Sequence, residues 1–155
     1  MVQFQKNVMR VVVISVLAIV CLVARAALPS PVGSWTTIDD ASHKPKSIIS
    51  LSVSGGQLNG KIVKIYKENV ANPNETTCSK CSGALKDQPL IGLMIVQGLK
   101  ENADGSWSGG TITDPENGKV YKCSITPSAD GKTLAVRGYI GVSLLGRTQT
   151  WQKAN

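Results

Sequence analysis

The most constraining feature of this chain is how its apolar residues are grouped: from residue 33 onward they occur in short runs bounded by turn residues. Over residues 49–54 apolar residues alternate with serines, which is the period of two expected of a strand with one buried face. Ser54-Gly55-Gly56 then supplies a tight turn before a returning run from Leu58 to Ile65. Between the turn signals there is no room for an amphipathic helix of three turns. The pattern therefore predicts an all-β domain.

Counting the apolar runs in this way gives about eight strands with short connections. Consecutive strands at such spacing are typical of an antiparallel meander, either closed or partly closed into a barrel or folded into a sandwich. Closure is favoured because it removes the exposed strand edges that a secreted monomer must otherwise protect. The strands are expected at residues 35–38, 49–53, 58–65, 93–99, 105–113, 120–126, 133–140 and 148–153.

The first 26 residues have the parts of a secretory signal. Lys6 and Arg10 precede an uncharged run at residues 11–24, and Ala24-Arg25-Ala26 resembles the small-residue cleavage site. The run is shorter than the roughly 20 residues that a membrane-spanning helix needs, and Arg25 ends it. We expect cleavage after Ala26, which leaves one domain of residues 27–155 in the periplasm or outside the cell, with no stable membrane anchor.

The basic composition does not indicate a nucleic-acid partner. The chain has 17 Lys and Arg against 10 Asp and Glu, a formal charge of +7, and residues 1–26 hold three of the basic residues and no acidic one. The domain that remains after cleavage therefore carries +4. Its basic residues are scattered, without the run or stripe that follows a phosphate backbone. We expect no nucleic acid among its partners.

A long polar loop at residues 66–89 interrupts the strands, well beyond the roughly 2–5 residues of a hairpin loop. It carries a C-x-x-C pair, Cys78 and Cys81, and Cys123 is the third cysteine of the exported domain. An oxidising compartment favours a structural disulfide, and three pairings are possible. We favour Cys81 with Cys123 over Cys78 with Cys81. The former closes a loop of about 40 residues, for roughly 3–4 kcal/mol, and would pin the long loop to the barrel.

Two chemical alternatives use the same cysteines. A thioredoxin-like redox pair needs its first thiolate at a helix N-terminus, and Pro89 cuts off any such helix. A zinc site could combine the three cysteines with His43, but structural zinc sites usually have two paired motifs and this chain has one. His43 is also the only candidate base for a Ser/His/Asp triad, and no Gly-x-Ser-x-Gly accompanies it. We expect no catalytic residues, no metal and no cofactor.

A tryptophan early in the chain and an arginine late in it resemble lipocalin-type barrels. Gly33-Ser34-Trp35 opens the first strand and Arg147 lies near the start of the last. In such barrels an arginine of the final strand packs over the indole and closes one end through cation–π contact. The resemblance implies a lipocalin-like barrel. The alternative is that Trp35 is simply a core aromatic residue.

Polar and aromatic residues also alternate on the last two expected strands. If these faces point inward, the lumen is partly polar, holds two guanidinium groups and suits a small amphipathic or anionic ligand. The alternative is that the arginines face water or close a barrel end. The candidate ligand-binding residues are Trp35, Arg137, Tyr139, Arg147, Gln149 and Trp151.

A second resemblance covers nearly the whole exported domain. Its motifs are Gly33-Ser34-Trp35, residues 89–93, residues 114–121, residues 137–141 and residues 146–151. Together they are similar to those of the bacterial family known as domain of unknown function 2147, a group of small exported proteins. This resemblance implies export and a compact β-rich fold, and it brings no established activity.

We therefore expect a non-catalytic exported barrel that binds a small ligand or associates with the cell envelope. One alternative is a protein-interaction module whose long loop contacts an envelope protein. A third hypothesis is a thiol-redox or zinc-binding protein that uses the C-x-x-C pair.

Overall fold

Eight strands in the described part of the chain form one closed antiparallel barrel, in which each strand pairs with its neighbours in sequence and the first strand pairs with the last. The structure is a computed structural model that describes residues 28–155, so the predicted signal segment and its cleavage site lie outside the described residues. The predicted all-β meander and its closure into a barrel are confirmed. The strands are β1 (Gly33–Ile38), β2 (Pro45–Ser54), β3 (Gln57–Ile65), β4 (Met94–Glu101), β5 (Trp107–Asp114), β6 (Lys119–Pro127), β7 (Thr133–Tyr139) and β8 (Arg147–Lys153).

The turn between β2 and β3 shows how local sequence sets the pairing of the strands. Gly55 and Gly56 occupy its two central positions with φ of 57° and 73°. Residues with a Cβ rarely adopt this left-handed backbone, and a turn of this kind matches the twist of the strands it joins. The resulting register opposes Leu51 to Gly60, and Ile49 and Leu51 of the serine-rich strand are buried in the core.

The end of the barrel that holds the β2–β3, β4–β5 and β6–β7 turns is filled with side chains. Trp35 is buried in this packed half and donates its indole N–H to the carbonyl of Pro31 at 2.7 Å, so the segment before β1 helps to close this end. Each fully buried aliphatic or aromatic side chain contributes roughly 1.5–3 kcal/mol. Stability is therefore concentrated in the packed half. Its other buried side chains include Leu51, Leu58, Leu99, Trp107, Ile125 and Leu134.

A lysine, rather than the expected arginine, covers the indole of Trp35. The Nζ of Lys153 lies 5.8 Å from the ring centroid, and the two residues are partners across the β1–β8 pairing. Arg147 begins β8, six residues away, which is about 20 Å along an extended strand. The prediction that Arg147 packs over Trp35 is wrong, because the strand carries this arginine to the opposite end of the barrel.

The described segments outside the strands contain three one-turn 3-10 helices, Lys67–Asn69, Gly83–Leu85 and Ser143–Leu145. Within residues 28–155, none of the helical segments has the length and apolar character required to cross a bilayer. The longest connection runs from residue 66 to residue 93, a little beyond the predicted loop, and we call it the β3–β4 loop. It returns on itself through a bridge between Thr77 and Pro89.

Candidate functional site: a cavity at the barrel mouth

The half of the barrel opposite the packed half is hollow. A cavity of about 520 Å³ lies where β1, β3, β5 and β7 end and β2, β4, β6 and β8 begin. Binding sites for small molecules typically measure about 300–1,000 Å³. The β1–β2, β3–β4, β5–β6 and β7–β8 connections surround its opening, which we call the mouth.

The base of the cavity is apolar. Trp151, from β8, is buried and forms part of the boundary with the packed half, and Gln149 and Arg147 of the same strand also line the cavity. Gly138, on β7, leaves space where a side chain would otherwise project beside Tyr121. The apolar residues of the base are Ile62, Ile95, Ile112, Val136, Leu90 and Trp151.

The rim is polar, and one of its charged groups is the guanidinium of Arg147. Asp40, in the β1–β2 loop, forms an ion pair with Arg147 and accepts a hydrogen bond from the Nε2 of Gln149 at 3.2 Å. The side chains of the ion pair remain 69% and 43% exposed. A ligand at the mouth can therefore reach this guanidinium without first uncovering it.

The backbone that presents Asp40 is fixed by its neighbour. Asp39 accepts hydrogen bonds from the backbone N–H and the hydroxyl of Ser42, at 2.7 and 2.8 Å. These bonds lower the pKa of the Asp39 carboxyl, and the backbone bond has the larger effect. The β1–β2 loop is thus closed on itself by a local turn of the kind that Asp favours.

A second ion pair crosses the mouth. The Nζ of Lys46, at the start of β2, lies 2.5 Å from the Oε2 of Glu116, in the β5–β6 turn. Strands β2 and β6 are four positions apart in an eight-stranded ring, so the pair joins opposite walls. The Nζ of Lys80 donates to the carbonyl of Glu116 at 2.8 Å, which ties the β3–β4 loop to the same turn.

The β3–β4 loop forms part of the cavity wall and carries a disulfide. Cys78 and Cys81 are joined, with Cα atoms 5.3 Å apart, and Cys123 is a free, buried thiol. The predicted pairing of Cys81 with Cys123 is wrong. The loop docks on the β5–β6 turn, where the Sγ of Cys78 lies 3.9 Å from the carbonyl of Pro115. Cys123 lies four residues after the first residue of β6, which is about 13 Å along the strand, and its side chain is buried in the core.

The thiol of Cys123 is held in its neutral form. Removal from water raises its pKa from 9.0 to about 12. The thiolate is the nucleophile and the metal ligand, so this residue is chemically inert at neutral pH. Within residues 28–155 no group of three or more His, Cys, Asp and Glu side chains is gathered to hold a metal ion. His43 lies exposed in the β1–β2 loop with a φ of 56°.

Arg137 does not face the lumen. It lies on the outer face of β7, where its Nε donates to the carbonyl of Ser143 at 2.8 Å and its Nη1 to the hydroxyl of Thr148 at 2.9 Å. The condition that both arginines point inward is therefore not met. Arg137 faces outward, as the alternative had it, and Arg147 lines the cavity only at its exposed rim. Buried Leu134 and Val136 precede Arg137 on the same strand, and their alternation was the available signal that Arg137 faces outward.

The remaining predicted site residues divide between the two halves. Tyr139 lines the edge of the cavity where β7 ends, whereas Trp35 belongs to the packed half. Sequence reasoning did not identify Asp40, Lys46 or Tyr121 as parts of the mouth. The partners of Asp40 and Lys46, which are Arg147 and Glu116, are distant in sequence, and no local motif marks these residues.

An eight-stranded antiparallel barrel with consecutive strand order, packed at one end and open at the other, defines this protein as a lipocalin-like barrel. The chain belongs to the family described as an uncharacterized protein conserved in bacteria (DUF2147), whose model matches residues 33–153. Both resemblances seen in the sequence are confirmed.

A solved structure shares the fold. It is protein HP1028 from the human pathogen Helicobacter pylori, which is described as belonging to the lipocalin family. The TM-score is 0.68 at 18% sequence identity, and the similarity covers 83% of this chain and 85% of the other. At this identity the likeness establishes the fold alone. Among curated proteins none matches the chain significantly.

Proposed function

We propose that this protein is a non-catalytic carrier that binds a small amphipathic ligand with an anionic group in the cavity at the barrel mouth. The observation that carries the proposal is the division of one cavity of about 520 Å³ into an apolar base and a charged rim. An apolar body is favoured at the base because it leaves water there, and a charged head at the rim retains polar partners.

The charges at the rim favour an anionic head. Arg147 lines the cavity, and its guanidinium forms an ion pair with Asp40 at the solvent-exposed edge. An incoming carboxylate, sulfonate or phosphate can form charge-assisted hydrogen bonds with this guanidinium. Asp40 competes for the same group, so it sets how tightly an anion is held.

The β3–β4 loop supports ligand binding rather than a separate docking role. It lies against the mouth, contributes Val70, Asn72 and Lys80 to the cavity wall, and is tied to Glu116 on the β5–β6 turn. Its cysteines are joined in a buried disulfide. The loop therefore shapes the space that a ligand would occupy.

A pair of variants with opposite expected effects tests the proposal. Anilinonaphthalene sulfonate, an amphipathic anion, is titrated by fluorescence into the wild type. Arg147→Gln is expected to weaken its binding about tenfold, since a hydrogen bond to a charged group is removed. Asp40→Asn is expected to strengthen binding, because the competing carboxylate is neutralised.

Lys132→Gln is the matched control. It makes the same change of charge as Arg147→Gln, on an exposed residue in the β6–β7 turn at the packed end. It is expected to leave binding unchanged. If the wild type does not bind the probe, or if Arg147→Gln and Lys132→Gln weaken it equally, the proposed function is wrong.

We further propose that the carrier acts outside the cytoplasm, in the periplasm or as a secreted protein. The signal-like pattern of residues 1–26 supports this, and so does a disulfide, which is typical of oxidising compartments. The mass of the protein recovered from periplasm or medium is expected to match a chain that begins at Ala27. Recovery only from the cytoplasm with residues 1–26 intact would contradict the proposal.

A further inference from the structure

The β7–β8 connection exposes an unusual concentration of apolar side chains. Ile140, Val142, Leu144 and Leu145 are 61–88% exposed, and they are the four most exposed of the large hydrophobic residues in the described part of the chain. The others are 38–56% exposed and lie elsewhere, mostly one at a time. Single exposed apolar residues are ordinary, whereas a contiguous group marks an interaction site. We call residues 140–146 the apolar tip.

The apolar tip has a fixed shape. The guanidinium of Arg137 donates to the carbonyl of Ser143 through Nε at 2.8 Å, and two further bonds, Leu145 N–H to Val142 and Gly146 N–H to Ser143, close a 3-10 turn. Polar groups of the backbone are thus bonded within the tip. The apolar side chains are held outward rather than folded back onto the barrel.

The apolar tip stands at the mouth of the cavity. Ile140, at its beginning, and Arg147, directly after it, both line the cavity. Anything that the tip contacts is therefore placed next to the opening through which a ligand enters.

The surrounding charge selects one kind of surface. From residue 117 to the C-terminus the only acidic side chain is Asp130, in the β6–β7 turn at the packed end. The mouth half of this wall carries cationic side chains without a carboxylate of its own. An apolar protrusion flanked by cations matches a bilayer with anionic headgroups, since the cations meet the headgroups while the apolar groups enter the acyl boundary. These cations are Lys119, Lys122 and Arg137. The fourth, Arg147, is paired with Asp40 of the β1–β2 loop.

We propose that the apolar tip docks the barrel mouth on an anionic lipid bilayer. The contact is peripheral and reversible, because four side chains and a few cations supply far less than a membrane-spanning helix does. Docking would bring the cavity to the surface from which an amphipathic ligand leaves or to which it is delivered. The docking itself does not depend on the proposed ligand binding.

Vesicle co-sedimentation tests the proposal with protein expressed from the full chain. The double variant Leu144→Ser/Leu145→Ser is compared with the wild type on vesicles of phosphatidylglycerol and phosphatidylcholine in equal parts, and on pure phosphatidylcholine. The wild type is expected to bind the mixed vesicles, more weakly at high salt, and the variant at least tenfold less. Both changed side chains are exposed, so the fold is not at risk.

The matched control is Val53→Ser/Val63→Ser, which removes two exposed apolar side chains from the barrel wall. It is expected to bind the vesicles like the wild type. The proposal is overturned if the wild type fails to sediment, if the tip variant binds as well as the control, or if the two lipid compositions bind the wild type equally. It is also overturned if gel filtration shows a dimer for the wild type and a monomer for the tip variant, since the tip would then be a dimer interface. Anilinonaphthalene sulfonate is also titrated into the tip variant. The cavity base is unchanged in this variant, so we expect it to bind the probe like the wild type. The titration therefore distinguishes a failure of membrane docking from a failure of the proposed ligand binding.

Discussion

Replacing Gly138 with valine should stabilise the protein and at the same time weaken the ligand binding that we propose. A Cβ at this position would lie 3.5 Å from the Cβ of Tyr121 and 3.7 Å from the Cγ2 of Ile112, which are ordinary van der Waals distances. Gly138 is not among the glycines with positive φ, so the backbone accepts a side chain without strain. The new methyl groups would project into the hollow half.

The size of the effect follows from what the valine covers. Three added carbon groups at about 0.8 kcal/mol each give an upper bound of about 2 kcal/mol, and valine is preferred over glycine in a strand by up to about 1 kcal/mol. The site is only half-buried, so we expect a net gain of about 1–2 kcal/mol in the free energy of unfolding. This corresponds to a rise in Tm of roughly 4–8 °C.

Gly60→Val is the matched control, since Gly60 faces the packed half. There a Cβ would lie 2.5 Å from the Cδ2 of Leu51 and 3.1 Å from the Cβ of Val96. Overpacking of this kind costs about 1–3 kcal/mol, so the same substitution should lower stability. Urea unfolding followed by tryptophan fluorescence measures both variants, and titration of anilinonaphthalene sulfonate measures binding.

The two variants should therefore change stability with opposite signs. If Gly138→Val destabilises the protein as much as Gly60→Val does, the half of the barrel described as hollow is in fact filled. If Gly138→Val is more stable but binds the probe as well as the wild type, the probe does not occupy this cavity.

Three further outcomes follow from the cysteines and the rim. Folding raises the pKa of Cys123 to about 12, so the thiol ionises more readily in the unfolded chain. The free energy of unfolding of the wild type should therefore fall relative to that of Cys123→Ala, by about 3 kcal/mol between pH 8 and pH 11. Urea midpoints that change in parallel for the two proteins would contradict this. Cys78→Ala/Cys81→Ala should cost about 2 kcal/mol in urea unfolding, and a reducing agent should then have no added effect. Arg147→Gln should change stability by less than about 1 kcal/mol, because its pair with Asp40 is exposed; a larger loss in thermal unfolding would show a structural role.

The strands could be predicted from sequence because their signals are local. The alternation over residues 49–53 and the Gly55-Gly56 turn each act within a few residues, and so does the turn after Asp114, whose carboxylate accepts the N–H of Glu116 at 2.9 Å. Closure of the barrel is different in kind. It depends on pairing between β1 and β8, more than 100 residues apart, and the sequence favoured it only through the general cost of exposed edges.

The site was harder to predict because its residues meet across the barrel. Alternation placed Gln149 and Arg147 on one face of the last strand, but Asp40, which binds both, is more than 100 residues away in sequence. The disulfide prediction failed for a related reason. Loop-closure entropy favoured the longer-range partner, whereas the docking of the β3–β4 loop decides which thiols meet.

The division of the interior has an evolutionary consequence. Because tryptophans and leucines at one end hold the barrel together, exchanges at the other end carry little risk of unfolding it. Descendants of one ancestral gene can thus diverge in the residues around the mouth while keeping the same scaffold.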